Sequence, residues 1–501
     1  MSHTIRSAAV PPDDNAILRR LGYEPQLARR MGSFGNFAIS FSVISVLSGC
    51  MTLYGFGLTT GGPAVMLWGW VGVGLMVMFV GWALAEVTSA YPTSGALYYM
   101  AHQLGGPRWG WYTGWLNLLG LLGAIAGIDY GAAQFTGALL NLQFGFVPKT
   151  GSLMVIYIVI LAVHAALNLF GVRLVSLLNS VSVWWHLAGV ALIVAFLTVV
   201  PSHHQSAGFV FGHFANTTGW SSPLYVTAIG LLLAQYTFSG YDASAHLSEE
   251  TTHAQVSAAR GIVRSIWVSW IAGLVLLAGM TFAIQDYAGT VGSATGVPPA
   301  QIFLDSLGTG GAKLLLVVVI VAQLFCGNAE TAAASRMVFA FSRDGALPGS
   351  AWWRRVSRNG TPTRAVWLSV VAALVLALPS LYSPVAYGAV TAINVIGITP
   401  AYAIPIYLRL RAGRRFTAGP WNLGRWSRPV GVVAVLWVAV VTVLFCLPQT
   451  NPVTVDSFNY APIALVVVLV LATVWWWAAR RSYITPVYAS PEMSELESEV
   501  V

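Results

Sequence analysis

Twelve long apolar segments alternate with short polar connections along the chain, and this alternation dominates the sequence. Each segment is long enough to cross a bilayer as one helix, which takes about 20 residues. The period-2 alternation typical of β-strands is not a strong feature of any segment. The pattern therefore predicts an all-α polytopic membrane protein with about twelve transmembrane helices. The predicted segments are 34–58, 64–90, 110–140, 152–170, 179–200, 223–245, 262–284, 312–342, 365–381, 384–409, 429–447 and 458–479.

Positive charge is distributed unevenly across the predicted membrane. The two tails and the connections that follow even-numbered segments hold most of the arginines. The other connections hold Lys149 and Lys313, which are the only lysines of the chain. Because positive charge resists translocation, both termini of this cell-membrane protein are expected in the cytoplasm. Residues 1–33 then form a cytoplasmic N-terminal tail, of which residues 1–30 are expected to be polar and mobile, and residues 480–501 form an acidic cytoplasmic C-terminal tail.

Composition narrows the class of protein further. Of the 501 residues, 56% are hydrophobic and 8% are charged, whereas a soluble chain carries about 25% charged residues. The lipid bilayer is therefore the expected surroundings. The net charge of +8 would suit nucleic acid, but its placement indicates membrane topology, so no nucleic-acid partner is expected. The three cysteines lie inside apolar segments without a disulfide or metal pattern, and neither a metal nor a cofactor is expected.

Few ionisable residues lie inside the apolar segments, where a charged side chain is costly and therefore informative. No nucleophile–base motif, zinc motif or phosphate-binding glycine loop accompanies them, which weakens the interpretation as a membrane enzyme. They are also too sparse and scattered to line a continuous channel. These residues are Glu86, Asp129, His186, Asp242, Glu330 and Arg336.

Small, glycine-containing interruptions occur in the first and the sixth apolar segments. Close helix packing would also favour glycine at such positions. Interruptions in the first helix of two successive five-helix blocks are, however, typical of inverted-repeat transporters. An unwound turn frees N–H groups for a carboxylate and carbonyl groups for an ammonium group, which suits a zwitterion. The candidate substrate-binding residues are Val46, Leu47, Ser48 and Gly49 in the first segment and Phe238, Ser239, Gly240 and Tyr241 in the sixth.

Several short motifs occur in order along the chain. They are SVLSG at 45–49, YPTSGALYY at 91–99, FSGYDASAH at 238–246, EET at 249–251, SRM at 335–337, FSRDGALP at 341–348, NLGR at 422–425 and NY at 459–460. Together they resemble the amino acid–polyamine–organocation superfamily, and within it the amino acid/choline transporters, which include GABA and choline permeases. The resemblance implies a leucine-transporter-type fold. Its two inverted five-helix repeats would be residues 34–200 and 223–409, followed by two further helices within 429–479.

The resemblance suggests roles for three intramembrane residues. His186 falls where some proton-coupled relatives carry a lysine, so it would bind and release the coupling proton, or else be satisfied by a backbone carbonyl or water. Asp129 would contact a substrate amine, relay a proton or cap a broken turn. Glu330 stands where relatives tend to have small hydroxyl residues, and it would pair with a second amine or act as a protonated, hydrogen-bonded acid.

Two further acidic residues are expected to serve the structure or a gate. Asp242 adjoins the interruption of the sixth segment and would hold its unwound geometry. Glu86 lies near the cytoplasmic end of the second segment and would belong to the scaffold or to an inner gate. Arg336 and Arg343 approach the same surface, where snorkelling to the interface is the simplest expectation.

These features predict a permease that moves amino acids or related amines such as GABA by alternating access. Because the sequence has no ATP-binding loop, an ion gradient must drive accumulation, and the titratable residues favour proton symport over sodium symport. Exchange of amino acids for polyamines and transport of choline or another cationic amine are the alternatives. A polytopic membrane enzyme is the alternative from another class, and the pattern carries no signal about oligomeric state.

Overall fold

The computed structural model describes residues 13–486 except 294, 383–384 and 456. This part of the chain is almost entirely helical, and it contains no strand beyond two isolated bridges, Met31 with Thr251 and Thr60 with Asn216. The predicted all-α architecture is therefore confirmed. The first residue of the predicted segment 384–409 and the acidic residues 487–501 lie outside the described residues.

The first part of the described chain, from residue 13 onward, forms ten α-helices. They are α1 (Asp14–Arg20), α2 (Ser33–Ile44), α3 (Val46–Thr52), α4 (Tyr54–Thr59), α5 (Gly62–Ala90), α6 (Ala96–Gly105), α7 (Pro107–Phe144), α8 (Thr150–Leu169), α9 (Val172–Val199) and α10 (Ala207–Gly212).

The second part of the described chain forms eleven more α-helices, besides four short 3-10 helices. They are α11 (Pro223–Gly230), α12 (Leu232–Thr237), α13 (Ala243–His246), α14 (Ala254–Phe282), α15 (Tyr287–Val291), α16 (Pro298–Arg343), α17 (Ser350–Trp353), α18 (Thr363–Ala377), α19 (Val385–Ala412), α20 (Ser427–Leu444) and α21 (Ala461–Ala479). The backbone of α16 leaves the helical conformation at Gly308 (φ 67°), a few residues before the predicted start of that span.

Eleven helices within the described residues are long and apolar enough to cross a membrane, and they coincide with eleven of the twelve predicted segments. The remaining segment, 223–245, contains the shorter apolar helices α11 and α12, an unwound stretch and α13. Its helical part is short because the chain is interrupted inside the predicted span. Eleven of the twelve predicted segments thus contain one long apolar helix, and the twelfth contains three shorter helices.

Helix α7 lies at the centre of the bundle and packs against α16 and α19. Its most apolar stretch is 94% buried, whereas that of α21 at the rim is 11% buried. The rim exposes large apolar side chains such as Val466, Val470 and Trp477, which are suited to lipid rather than water. The centre instead buries polar side chains, and these form the site described below.

Both ends of the described chain lie on one face of the bundle, which we call the terminal face and define by residues 13–31 and 480–486. The Asp14 carboxylate accepts hydrogen bonds from the N–H groups of His253 and Ala254 at 2.7 and 3.0 Å. Residues 13–31 are therefore packed rather than mobile, contrary to the sequence expectation. Burial of Leu18 and Leu21 offsets the entropy lost on ordering this segment.

Candidate functional site

The first membrane helix is interrupted at Ser45, which has φ 34° and ψ 84°. The interruption was predicted at 46–49, but these residues form the first turn of α3, because the N–H groups of Ser48 and Gly49 donate to the Ser45 carbonyl. As at the start of any helix, the first N–H groups, those of Val46 and Leu47, have no carbonyl one turn earlier within α3. Such N–H groups are suited to an anion.

His186 on α9 holds Ser45 in place. Its Nε2 lies 2.6 Å from Ser45 Oγ, and its Nδ1 lies 2.8 Å from the Ser182 carbonyl oxygen. Because a carbonyl only accepts, Nδ1 carries a proton, and in the neutral ring Nε2 then accepts from the Ser45 hydroxyl. Both nitrogens are satisfied in this way, so the geometry matches the hydrogen-bonded alternative considered for His186.

The sixth membrane helix is interrupted at residues 238–242, between α12 and α13, as predicted. Gly240 has φ +79°, and a Cβ atom there would lie 2.0 Å from Val43 Cγ1 on the first helix. Glycine is therefore required both by the left-handed backbone and by the close approach of the two interrupted helices. The Ser40 hydroxyl donates to the Tyr241 carbonyl at 2.6 Å and ties the two helices together.

Asp242 braces the second interruption. The Gly240 N–H donates to the Tyr402 hydroxyl at 2.9 Å, and that hydroxyl donates to Asp242 Oδ1 at 2.8 Å. Asn117 and His246 both contact Asp242 Oδ2, at 3.3 and 3.2 Å. These contacts suit the bracing role expected for Asp242.

A narrow cavity lies between the two interruptions, and its free space is roughly that of one water molecule. Five residues nominated from the sequence line it, namely Ser48, Gly49, Ser239, Gly240 and Glu330. Eight further lining residues were missed. Four of them flank the interruptions, so the glycine-containing motifs in the sequence could have indicated them. The other four come from distant helices, and nothing in the sequence around them indicates a site. The eight are Val43, Ile44, Tyr236 and Thr237, followed by Ala124, Ile128, Cys326 and Asn394.

The other nominated residues do not line the cavity. The rings of Phe238 and Tyr241 pack against Trp70 and Tyr402, with centroid distances of 4.4 and 4.6 Å, because the unwound turn directs them away. Val46 and Leu47 are buried in the apolar core, so only their backbone groups can serve a ligand at this site. Tyr241, a candidate substrate-binding residue from the sequence, therefore does not line the cavity, whereas Tyr236 does.

Glu330 is the one acidic residue that lines the cavity. Its side chain is fully buried, and neither carboxyl oxygen has a hydrogen-bond partner among the described residues. The carboxyl faces Gly240, where the position of a Cβ atom would lie 3.6 Å from Glu330 Oε2. A buried carboxyl without a hydrogen-bond partner lowers the stability of the folded protein. Such an unpaired group is typical of a site that binds a ligand.

Asp129 does not line the cavity either, because it turns toward His164 on α8. Asp129 Oδ2 and His164 Nδ1 are 3.0 Å apart, and both side chains are buried. His164 was missed, although a histidine inside an apolar segment is itself a signal.

Ion pairs close the terminal face below the cavity. Arg336 donates twice to Glu250, at 2.7 and 3.2 Å, and Arg343 donates twice to Glu249, at 3.0 and 2.9 Å. Arg336 is fully buried, so the expectation that it snorkels is wrong, since a carboxylate within the protein replaces water as its partner. Burial opposes ionisation of Glu249, but the charge and hydrogen bonds of Arg343 outweigh it and lower the pKa of this carboxyl.

Glu86 belongs to a second cluster on the same face. Its Oε2 accepts a short hydrogen bond from the Ser427 hydroxyl and lies 3.4 Å from Arg409 Nε. Its Oε1 accepts from the Leu423 N–H at 3.3 Å. Glu86 thus joins α5 to α19 and to the start of α20, a position that suits either of the two roles expected for it.

Comparisons with known proteins agree with this architecture. A family model described as amino acid permease matches residues 32–470. The amino-acid permease BAT1 homolog of Oryza sativa subsp. japonica is 41% identical over 94% of this chain and 95% of its own length. The GABA-specific permease of Saccharomyces cerevisiae is 30% identical over 95% of this chain and 86% of its own length. The chain therefore belongs to the amino acid permease family, a group of multi-pass membrane proteins within the amino acid–polyamine–organocation superfamily.

Proposed function

We propose that this permease is a secondary active transporter of amino acids that carry an amine available to Glu330, such as GABA or a basic amino acid. The observation that carries the proposal is the Glu330 carboxyl, which is buried, faces the cavity and lacks a hydrogen-bond partner among the described residues. An ammonium group supplies both the hydrogen-bond donors and the charge that this carboxyl needs. The yeast relative is named a GABA-specific permease, which agrees with such a substrate.

The two interruptions supply the remaining contacts. The first-turn N–H groups of α3, at Val46 and Leu47, are placed at a helix N-terminus and would hold the substrate carboxylate. Ser48, Ser239 and the backbone at Gly240 line the cavity beside them and would complete the polar contacts. In this arrangement the backbone N–H groups bind the substrate carboxylate, and Glu330 binds an amine at the other end of the substrate.

Transport would proceed by alternating access. Residues 34–200 and 223–409 would act as the two five-helix repeats, with 429–479 as the two further helices. The terminal face would be the cytoplasmic face, because the arginine-rich connections lie on that side of the predicted topology. The narrow cavity would have to widen to admit a substrate, and the ion pairs of Glu249 and Glu250 would have to separate to release it inward.

The experiment is uptake by the purified protein in proteoliposomes, with a panel of GABA, leucine, lysine, putrescine and choline. Each compound is tested with an inward proton gradient, with an inward sodium gradient, and in counterflow against the same compound preloaded. Recovered solute is analysed to exclude chemical conversion. We expect GABA or lysine to accumulate unchanged with the proton gradient.

The Glu330→Gln variant tests the assignment of the amine. Replacing the carboxylate removes a charge-assisted hydrogen bond, so KM for the transported amine should rise about 10- to 100-fold. Asp305→Asn, an exposed carboxyl-to-amide change on the same helix, is the matched control and should leave KM unchanged. An unchanged KM in Glu330→Gln would overturn the amine assignment. Counterflow without gradient-driven accumulation would indicate an exchanger, and a converted solute would indicate an enzyme.

A further inference from the structure

Asp129 and His164 form a buried acid–base pair directly behind the cavity wall. The cavity-lining residues Ile128 and Cys326 immediately precede Asp129 and Gly327 in the sequence. A Cβ atom at Gly327 would lie 1.9 Å from Asp129 Oδ1 and 2.6 Å from His164 Cε1. The glycine thus lets the backbone of α16 approach the pair closely, one turn before Glu330.

The pair has spare hydrogen-bonding capacity. Asp129 Oδ1 and His164 Nε2 are buried and have no hydrogen-bond partner among the described residues. One carboxylate oxygen and one ring nitrogen are therefore left for a proton or a water molecule. A purely structural pair buried at this depth would be expected to satisfy both atoms.

A groove on the face opposite the terminal face is lined in part by α7 and α8, the two helices that carry the pair. It is lined by Tyr130, Gln134, Leu153 and Tyr387, among others, and Tyr130 is the neighbour of Asp129 in the chain. The ring of Tyr130 lies between those of Tyr157 and Tyr387, at centroid distances of 5.8 and 5.2 Å. The three aromatic rings form one packed layer beside the groove.

His186 is less suited to hold a charge. Its two nitrogens are hydrogen-bonded to Ser45 and Ser182, and its ring packs edge to face with the ring of Phe41. No carboxylate of the described residues forms an ion pair with it. A cation buried without a counter-ion is strongly disfavoured. His164, by contrast, has the Asp129 carboxylate at 3.0 Å to stabilise its protonated form.

Negative charge on Asp129 also reaches the substrate site. The ionisable side chains close enough to feel it are Tyr157 from α8, Tyr236 from α12, and Cys326 and Glu330 from α16. Asp242 acts on Glu330 as well. Because like charges repel, these neighbouring groups hold one negative charge more easily than two, so a proton on the pair leaves the Glu330 carboxylate available to an ammonium group.

We propose that Asp129 and His164 together carry the coupling proton of this permease. The inference rests on the proposed function above. Glu330 begins protonated, with a proton that entered from the outer solution through the pair, and the pair itself begins as a carboxylate beside a neutral imidazole. When the ammonium group binds, the Glu330 proton returns to the pair, which becomes a carboxylate–imidazolium pair without net charge, and the Glu330 carboxylate holds the amine. After the site opens to the terminal face, the amine and the proton of the pair leave for the inner solution. Glu330 takes its next proton from the outer solution once the empty site faces outward again, so one proton enters with each amine.

The test compares proton-driven accumulation with counterflow for His164→Gln, in proteoliposomes and with radiolabelled GABA. Lysine is the probe if the wild-type protein does not carry GABA. We expect accumulation to fall at least 10-fold while counterflow stays within about 3-fold of wild type. KM of the variant should also rise as the external pH falls, because the Glu330 proton must then leave to the outer solution when the amine binds. His203→Gln, an exposed change of the same residue type, is the matched control.

Three other outcomes are decisive. If the wild-type protein transports but His164→Gln and Asp129→Asn both retain wild-type proton-driven accumulation, the inference is wrong and the proposed function stands. If both variants and His164→Asn lose counterflow as well, the pair belongs to the folded core rather than to coupling. If His186→Gln alone separates accumulation from counterflow, His186 carries the proton. Failure of the wild-type protein to transport any compound of the panel would instead reject the proposed function.

Discussion

Two buried residues of the terminal face, Asp344 and His102, have pKa values that are shifted in opposite directions. Burial raises the pKa of Asp344 to about 6, although Arg343 and the hydroxyl groups of Tyr23 and Tyr98 act against it. Burial lowers the pKa of His102 to about 4. Both shifts have the same cause, because a buried site disfavours the charged form of either group.

The two shifts have opposite consequences for stability. An unfolded aspartate has a pKa of about 4, so the contribution of Asp344 is present at low pH and is lost as the pH rises toward 6. An unfolded histidine has a pKa of about 6.5, so the contribution of His102 is present above that pH and is lost as the pH falls toward 4. Between about pH 4 and 6.5, acidification therefore stabilises the protein through Asp344 and destabilises it through His102.

Single variants should therefore separate the contribution of Asp344 to the pH dependence of stability from that of His102. Between about pH 4.5 and 6.5, the melting temperature of Asp344→Asn in detergent should fall on acidification, because only the His102 effect remains. That of His102→Gln should rise on acidification. Glu24→Gln removes an exposed carboxyl and should keep the wild-type profile. Parallel profiles for all four proteins would show that neither group titrates as described.

The two interrupted membrane helices meet through a glycine. Gly240 places the unwound stretch of the sixth helix against Val43 of the first, and Tyr402 from α19 fixes its backbone from the other side. The interruption is therefore held by neighbouring helices rather than by local sequence alone. A methyl group added at Gly240 should therefore push the unwound stretch away from Val43.

Gly240→Ala tests this point. A left-handed backbone costs a non-glycine residue about 1–2 kcal/mol, and overpacking against Val43 adds about 1–3 kcal/mol. We expect a lower melting temperature in detergent together with loss of substrate counterflow in proteoliposomes. Gly72→Ala on α5 introduces a methyl group into open space and should leave both unchanged. Wild-type behaviour of Gly240→Ala would mean that the two helices do not need this approach.

The whole bundle is closed on its terminal face by a layer of side chains from distant parts of the chain. Tyr23 of the N-terminal segment donates to Asp344 at 2.7 Å, and the Arg343 guanidinium lies 3.7 Å from the centre of the Tyr23 ring. Arg343 also binds Glu249, which follows the sixth helix. The N-terminal segment, the end of α16 and the stretch after α13 are thus joined by one arginine.

Loss of this arginine should open the cavity toward the terminal face. In a Cys50→Ser, Cys446→Ser background, Cys326 in the cavity wall is the single remaining thiol. We expect Arg343→Gln to increase its modification by a small charged methanethiosulfonate added on the terminal face at least 10-fold, since a broken buried ion pair favours the open state. Arg358→Gln, exposed on the same face, is the control. Equal rates in both variants would show that Arg343 does not close the cavity.

Hydropathy, arginine placement and glycine-containing interruptions were enough to locate the membrane helices and the second interruption. These signals are local, because a membrane span and an unwound turn each depend on residues close together in the chain. The first interruption was placed one residue late, since the conformation of Ser45 depends on His186 from another helix. Helix α6 was not predicted as a separate element, because it is too short to be recognised as a span.

The pairing of buried polar groups depends instead on how each helix is rotated and how closely its neighbours approach. Glu330 was recognised as unusual, but its position opposite Gly240 follows from the packing of α16 against the sixth helix. Asp129 meets His164 because Gly327 leaves room for both, and Arg336 meets Glu250 across 86 residues of sequence. Hydropathy along one helix carries no information about which partner another helix presents, so these contacts appear only in the packed fold.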